Sequence, residues 1–327
     1  VTQSFTESAV KAATAAVESE AATVAEKVQM LTEIARGLLQ KPKGIEQIEA
    51  AVLLYRQAIE LCGSDYPLLK ARATVGLGIA LRTYPGESSE GLVAAKQVFE
   101  TALPILQQQA SPEEVAEVQM NLGLVFQALV AFNLAQTKDA VQAYQQALEV
   151  FTPTQYPQEY AILHNNIAIA YLSMSMSGDG EDMRQALAVQ SFEEALNWII
   201  LTDHPVEYAM LQNNLGNALQ YLPSVHPVEN NLRALKAYNE ALKVRTAKDT
   251  PVEYANTIAN KANILFNLPD DIEHPEAGNI NHLQTAKSLY EEARLIFVQY
   301  GESERAEMVA QALQDLDTEL QALSSLN

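Results

Sequence analysis

The chain has 327 residues, 48% of them apolar, with 41 acidic against 21 basic side chains and a formal net charge of −20. Phosphate binding needs clustered Lys and Arg, so this charge argues against a nucleic-acid partner and leaves basic protein segments as compatible ones. With Cys62 as the only cysteine, neither an intrachain disulfide nor a Cys-based metal cluster can form, and its helical apolar setting reads as a buried, inert thiol. No apolar run reaches the ~18 residues of a membrane span, and Lys11, Glu18 and Glu20 interrupt the N-terminal stretch. Neither a span nor a signal peptide is therefore expected, and the expected location is cytoplasmic. The chain opens at Val1 rather than Met, so a removed upstream targeting segment is one expectation.

In chain order, 5–22 reads as an amphipathic N-terminal helix and 23–40 as the first helix of a degenerate unit, ending at Lys41-Pro42-Lys43-Gly44. A pattern of Ala, three residues, Tyr or Phe, two residues, Ala then recurs six times. Its members are Ala51/Tyr55/Ala58, Ala95/Phe99/Ala102, Ala140/Tyr144/Ala147, Ala188/Phe192/Ala195, Ala234/Tyr238/Ala241 and Ala286/Tyr290/Ala293. Offsets of four and three hold each triad on one helical face, so the pattern is a packing code.

A second set of helices alternates with these and opens at Pro67, Pro112, Pro157, Pro205 and Pro251, where a missing N–H costs nothing. Ser111 with Glu114, and Thr250 with Glu253, have the spacing of capping boxes. Eleven residues after each proline stands a small residue, Gly78, Gly123, Ala168, Gly216 or Ala262, which predicts close contact with the partner helix. The connections TYPGESSEG, SMSMSGDGED, LPSVHPVEN and LPDDIEHPEAGN are turn-rich and vary in length, serving as spacers or as an accessory binding rim. Residues 302–323 read as a last helix with an acidic outer face.

Paired helices with these two motifs in register resemble tetratricopeptide repeats, over roughly residues 23 to 323. The units are longer than the usual ~34 residues, and in that respect they resemble the repeats of kinesin light chains and arrays common in cyanobacterial proteins. The resemblance implies an all-α fold: a right-handed superhelical solenoid of antiparallel helix pairs with capping helices at both ends. The expected division is 1–22 as N-terminal cap, about six repeats at 23–62, 63–108, 109–153, 154–200, 201–247 and 248–300, and 301–327 as C-terminal cap and tail. No linker long enough to split the array is evident.

No set of residues converges on a reaction. Gly76-x-Gly78 lacks the strand and third glycine of a dinucleotide loop. His164, His204, His226, His274 and His282 lie too far apart in sequence for a zinc site, and no carboxylate pair stands out. The expectation is a non-enzymatic protein with no cofactor and no metal. What packing leaves over is asparagine: nine residues after the prolines come Asn121, Asn166, Asn214 and Asn260, with Asn217 and Asn263 a turn beyond. Asn is a mediocre helix former, so its recurrence in mid-helix requires a reason.

First helices of the family line its concave surface, and some members carry an Asn ladder that holds an extended peptide backbone. The resemblance makes Asn121, Asn166, Asn214 and Asn260 such rungs. The alternative is that these amides bond to the neighbouring repeat and fix its register, with Asn165 and Asn213 as interface residues. A clamp for a terminal carboxylate is disfavoured, because the residues beside the asparagines at the clamp position are Met120, Asn165, Asn213 and Ala259, and Arg72 is the only basic candidate a turn away. The expected function is a scaffold or adaptor that binds an extended or helical protein segment, one of basic character included. The second reading is a regulatory or sensory subunit that forms homo-oligomers or binds a small ligand.

Overall fold

A computed structural model describes residues 22–84, 88–174, 179–222 and 227–325, with positions 8, 10, 11, 13, 15 and 17. The described residues form thirteen α-helices, one 3-10 turn and no strand. By contact the chain divides into two compact units, Val1–Thr152 and Pro153–Asn327. In the first unit lie α1 (Val24–Gln40), α2 (Ile45–Cys62), α3 (Pro67–Arg82), α4 (Glu90–Gln109), α5 (Pro112–Val130) and α6 (Thr137–Leu148). The second holds α7 (Pro157–Leu172), α8 (Asp179–Leu196), α9 (Pro205–Gln220), α10 (Pro227–Ala241), α11 (Pro251–Phe266), the 3-10 turn Pro275–Ala277, α12 (Ile280–Gln299) and α13 (Ser303–Ser325).

Within each unit consecutive helices pack as antiparallel neighbours, and the first helices of successive pairs also touch: α1 with α3 and α3 with α5, then α7 with α9 and α9 with α11. Each unit thus has an inner layer of first helices and an outer layer of second helices. The six Ala-aromatic-Ala triads form the core, no member of them more than 5% exposed. Each buried ring contributes roughly 1.5–3 kcal/mol. Small residues on the first helices make room for those rings. A Cβ added at Gly78 would lie 2.6 Å from the Phe99 ring, at Gly123 2.3 Å from Tyr144, and at Gly216 2.6 Å from Tyr238. Gly76 meets Tyr55 of the preceding pair in the same way, at 2.1 Å. Both glycines of Gly76-x-Gly78 are therefore packing residues. Cys62 is buried, and burial raises its thiol pKa, in keeping with an inert role.

All five prolines named from the sequence open helices. The caps differ from expectation. Ser111 Oγ accepts from Glu114 N at 3.4 Å, but the Glu114 carboxylate turns away to Arg72 instead of closing the box. Thr250 makes no cap: its hydroxyl accepts from Thr246 N at 3.1 Å, bracing the preceding turn. A full capping box occurs at Thr23 and Glu26. Helices α8 and α10 begin inside stretches read as loops, at Asp179 and Pro227, and His226 lies outside the described residues. In the longest connection Asp270 acts as an anchor, accepting from Asn281 N at 2.9 Å and His282 N at 2.8 Å. At the end of the chain α13 packs on α12 through Ala306, Val309 and Leu316.

Candidate functional site

On the first helices of the second unit, positions 2, 5, 9, 12 and 16 counted from the initiating proline lie on a single helical face, and none of them is buried. On α7 these are Glu159, Ile162, Asn166, Ile169 and Ser173; on α9, Glu207, Met210, Asn214, Asn217 and Tyr221. On α11 the face is Glu253 followed by Asn256, Asn260, Asn263 and Asn267. One helix thus presents four asparagines at offsets of four, three and four, of which the sequence reading singled out only Asn260 and Asn263. Asn is up to about 0.7 kcal/mol worse than Ala at such positions, so helix stability does not account for the stripe.

The asparagines divide into three groups by their bonds. In the first unit Asn121 is buried, and its amide donates to Glu117 O of its own helix at 2.8 Å. A second group forms a chain across the inner layer of the other unit. Asn165 Nδ2 donates to Asn166 Oδ1 at 3.4 Å, Asn214 Nδ2 to Asn165 Oδ1 at 2.7 Å, and Asn213 Nδ2 to Asn214 Oδ1 at 3.0 Å. Thr257 Oγ1 extends it to α11: its one hydroxyl hydrogen lies between Asn213 Oδ1 at 3.0 Å and Glu253 O of its own helix at 2.9 Å, and it accepts from Arg245 Nη1 at 2.9 Å. This is a clasp between repeats, with Asn165, Asn213 and Thr257 as its buried members.

The third group serves the core rings. Tyr238 OH donates to Asn217 Oδ1 at 2.8 Å, and Tyr290 OH donates to Asn263 Oδ1. Burial pushes both phenols up, Tyr290 to about 12, so they stay protonated and act as donors. The sequence carries a signal for this pairing. Where the ring is Phe, at Phe99 and Phe192, position 12 of the first helix is Ile79 or Ile169; where it is Tyr238 or Tyr290, that position is Asn. Tyr144 departs from this signal: position 12 is Leu124, and its phenol donates instead to Gln127 Oε1, at position 15, at 2.9 Å. Asn256 and Asn260 remain: half-buried, and with no side-chain hydrogen bond among the described residues.

A further set escaped the sequence reading. Tyr160, Tyr208 and Tyr254, each three residues after its proline, donate to Glu194, Glu240 and Glu292 on the second helix of the same repeat, at 3.3, 3.0 and 3.1 Å. The recurring Pro-x-Glu-Tyr, PQEY once and PVEY twice, is the signal that could have revealed it.

In the first unit the inner face is a groove of about 800 Å³. Val28, Leu39, Leu69, Val75, Ile79 and Val118 give it an apolar lining. Arg72 crosses from α3 to α5, its Nε 2.7 Å from Glu114 Oε2 and its Nη2 2.9 Å from Glu114 Oε1. That bidentate bond holds Arg72 above and Glu114 below their ordinary pKa. Arg72 is thus already occupied. In the second unit a separate recess of about 520 Å³ is lined by Gln220, Tyr221, Leu222, Asn230, Asn231, Asn263 and Asn267. Among the described residues no group of three or more His, Cys, Asp or Glu could hold a metal ion, and no helix is long and apolar enough to cross a membrane. Burial lowers the pKa of His164, which lies beside Ser191 Oγ at 3.1 Å.

No protein-family model and no curated protein matches the chain. Among solved structures, it is similar to BtubC (BKLC) from P. vanneervenii, with a TM-score of 0.53 and 16% identity over 79% of this chain and 91% of that one. At that identity the likeness shows the fold alone, a helical repeat. Rap protein complexed with competence and sporulation factor superposes with a TM-score of 0.43 and 12% identity over 98% of this chain and 99% of that one, too low to carry an argument.

Proposed function

We propose that the chain is a non-catalytic scaffold that binds an extended segment of another protein across the inner layer of its second unit. The observation that supports this reading is the α11 face, where four asparagines stand in place of better helix formers and two of them make no side-chain hydrogen bond among the described residues. A carboxamide offers two N–H donors and two acceptor lone pairs, which suits it to peptide groups regardless of side chain. Asn214 and Asn166 retain part of that capacity beside the clasp, and Asn217 and Asn263 keep their Nδ2 groups. The tetratricopeptide resemblance supports the same surface; Asn121, turned onto its own helix, is left out of it.

The test is Asn256→Ala with Asn260→Ala in the full chain. Alanine is the better helix former, so the melting temperature should stay or rise. A partner captured by the wild-type chain and identified by mass spectrometry should be lost; retention of that partner would sink the assignment. The recess around Tyr221 and Asn231 favours one second reading, a subunit that senses a small neutral ligand rich in hydrogen-bonding groups.

A further inference from the structure

The two units treat one position of the inner layer differently. In the first, position 5 of one helix and position 2 of the next form an ion pair, Arg72 with Glu114. In the second unit the glutamates recur but the arginine does not. Position 5 is Ile162 on α7 and Met210 on α9, and position 2 of the following first helix, the place Glu114 has in the first unit, is Glu207 on α9 and Glu253 on α11. The helices concerned touch each other as α3 and α5 do. Ile162 is 39% exposed and Met210 half-buried, and Glu207 and Glu253 form no ion pair among the described residues. Arg245 feels the charge of Glu253 and bonds Thr257 through Nη1, but it makes no ion pair with that carboxylate among the described residues. The surplus of charge follows the same division: residues 153–327 carry 24 acidic and 10 basic side chains, against 17 and 11 in 1–152.

We infer that Ile162 with Glu207, and Met210 with Glu253, are two subsites for Arg or Lys side chains of a partner, which fill the place Arg72 takes in the first unit. This rests on the inner-layer reading above and adds the chemistry of the occupant. In each subsite an aliphatic stem lies on the Ile or Met side chain and the cationic head meets the carboxylate, the way long basic side chains cover apolar surface. Packed helices lie about 8–10 Å apart, and three residues of polyproline II rise about 9 Å and return to the same face. The segment that fits is therefore extended, with two basic residues three apart.

The probe is a fluorescein-labelled peptide of about ten residues with Arg-x-x-Arg in a Pro/Ala/Gln background, its length set by the ~3.1 Å rise per residue and its binding followed by polarisation with the full chain. Glu207→Gln with Glu253→Gln should weaken binding at least ~10-fold, the loss of about 1.4 kcal/mol, whereas the charge-matched Glu304→Gln with Glu307→Gln on α13 should leave it near wild type. Met210→Arg, which recreates the Arg72 arrangement, should also block the peptide while preserving the melting temperature. Equal weakening by both glutamine pairs would mean a diffuse field only and overturns the subsites, as does full binding of a peptide with Gln in place of both arginines. If a captured partner is lost on Asn256→Ala with Asn260→Ala yet kept on Glu207→Gln with Glu253→Gln, the scaffold stands and this inference falls. If both pairs retain it, both readings fall.

Discussion

Gly216 and Gly37 are both helical glycines, and the same substitution should move them in opposite directions. Alanine is favoured over glycine in a helix by about 1 kcal/mol. At Gly37 an added Cβ meets nothing within 4 Å, so Gly37→Ala should stabilise the chain by about 0.5–1 kcal/mol. At Gly216 the same atom would sit 2.6 Å from the Tyr238 ring, a fully buried side chain with nowhere to withdraw. Overpacking of this kind costs about 1–3 kcal/mol, so Gly216→Ala should be destabilising despite its propensity gain. Denaturant unfolding of the two variants checks both signs, and a stable Gly216→Ala would mean the ring moves aside.

Between helices, bond energy lies in short polar links whose ends come from different repeats. Asn214 to Asn165 is the most direct, and a double-mutant cycle with Asn214→Ala and Asn165→Ala should give a coupling near 1 kcal/mol. Additive effects would show that α7 and α9 are held by apolar packing alone. How far this was legible in the sequence differs by kind of contact. The triads, prolines and glycine sockets recur at fixed offsets along single helices, so periodicity exposes them. The clasp was foreseen only as an alternative to the ladder, because whether Asn214 meets Asn165 or a ligand depends on the crossing of two helices. The phenol acceptors were missed for a related reason: Asn217 was read by its own helix face, whereas the partner that explains it, Tyr238, stands 21 residues on. Thr250 was misread because its capping-box spacing ignores the competing amide of Thr246, which its hydroxyl takes instead.

For the molecule as a whole, buried titratable groups bound its stability from both sides of neutrality. Burial depresses the pKa of His164, so the fold holds the neutral imidazole. Its contribution is complete above the ordinary histidine value near 6.5 and is lost as pH falls through the depressed one. On the alkaline side, burial raises the phenols of Tyr144, Tyr160, Tyr238 and Tyr290, and what they contribute is present below their ordinary value near 10 and lost as pH rises through their folded values. Melting followed at Trp198, the sole tryptophan and a member of the second unit, should decline below about pH 6.5, and His164→Gln should flatten that acid limb. An unchanged limb would assign it to carboxylates instead. The glycine sockets bear on how such a chain is inherited. Gly78, Gly123 and Gly216 each accommodate a ring of their own repeat, so a repeat duplicated or lost by recombination carries both halves of the lock with it. The amide chain from Asn166 to Thr257 joins three repeats, and its links break when their order changes.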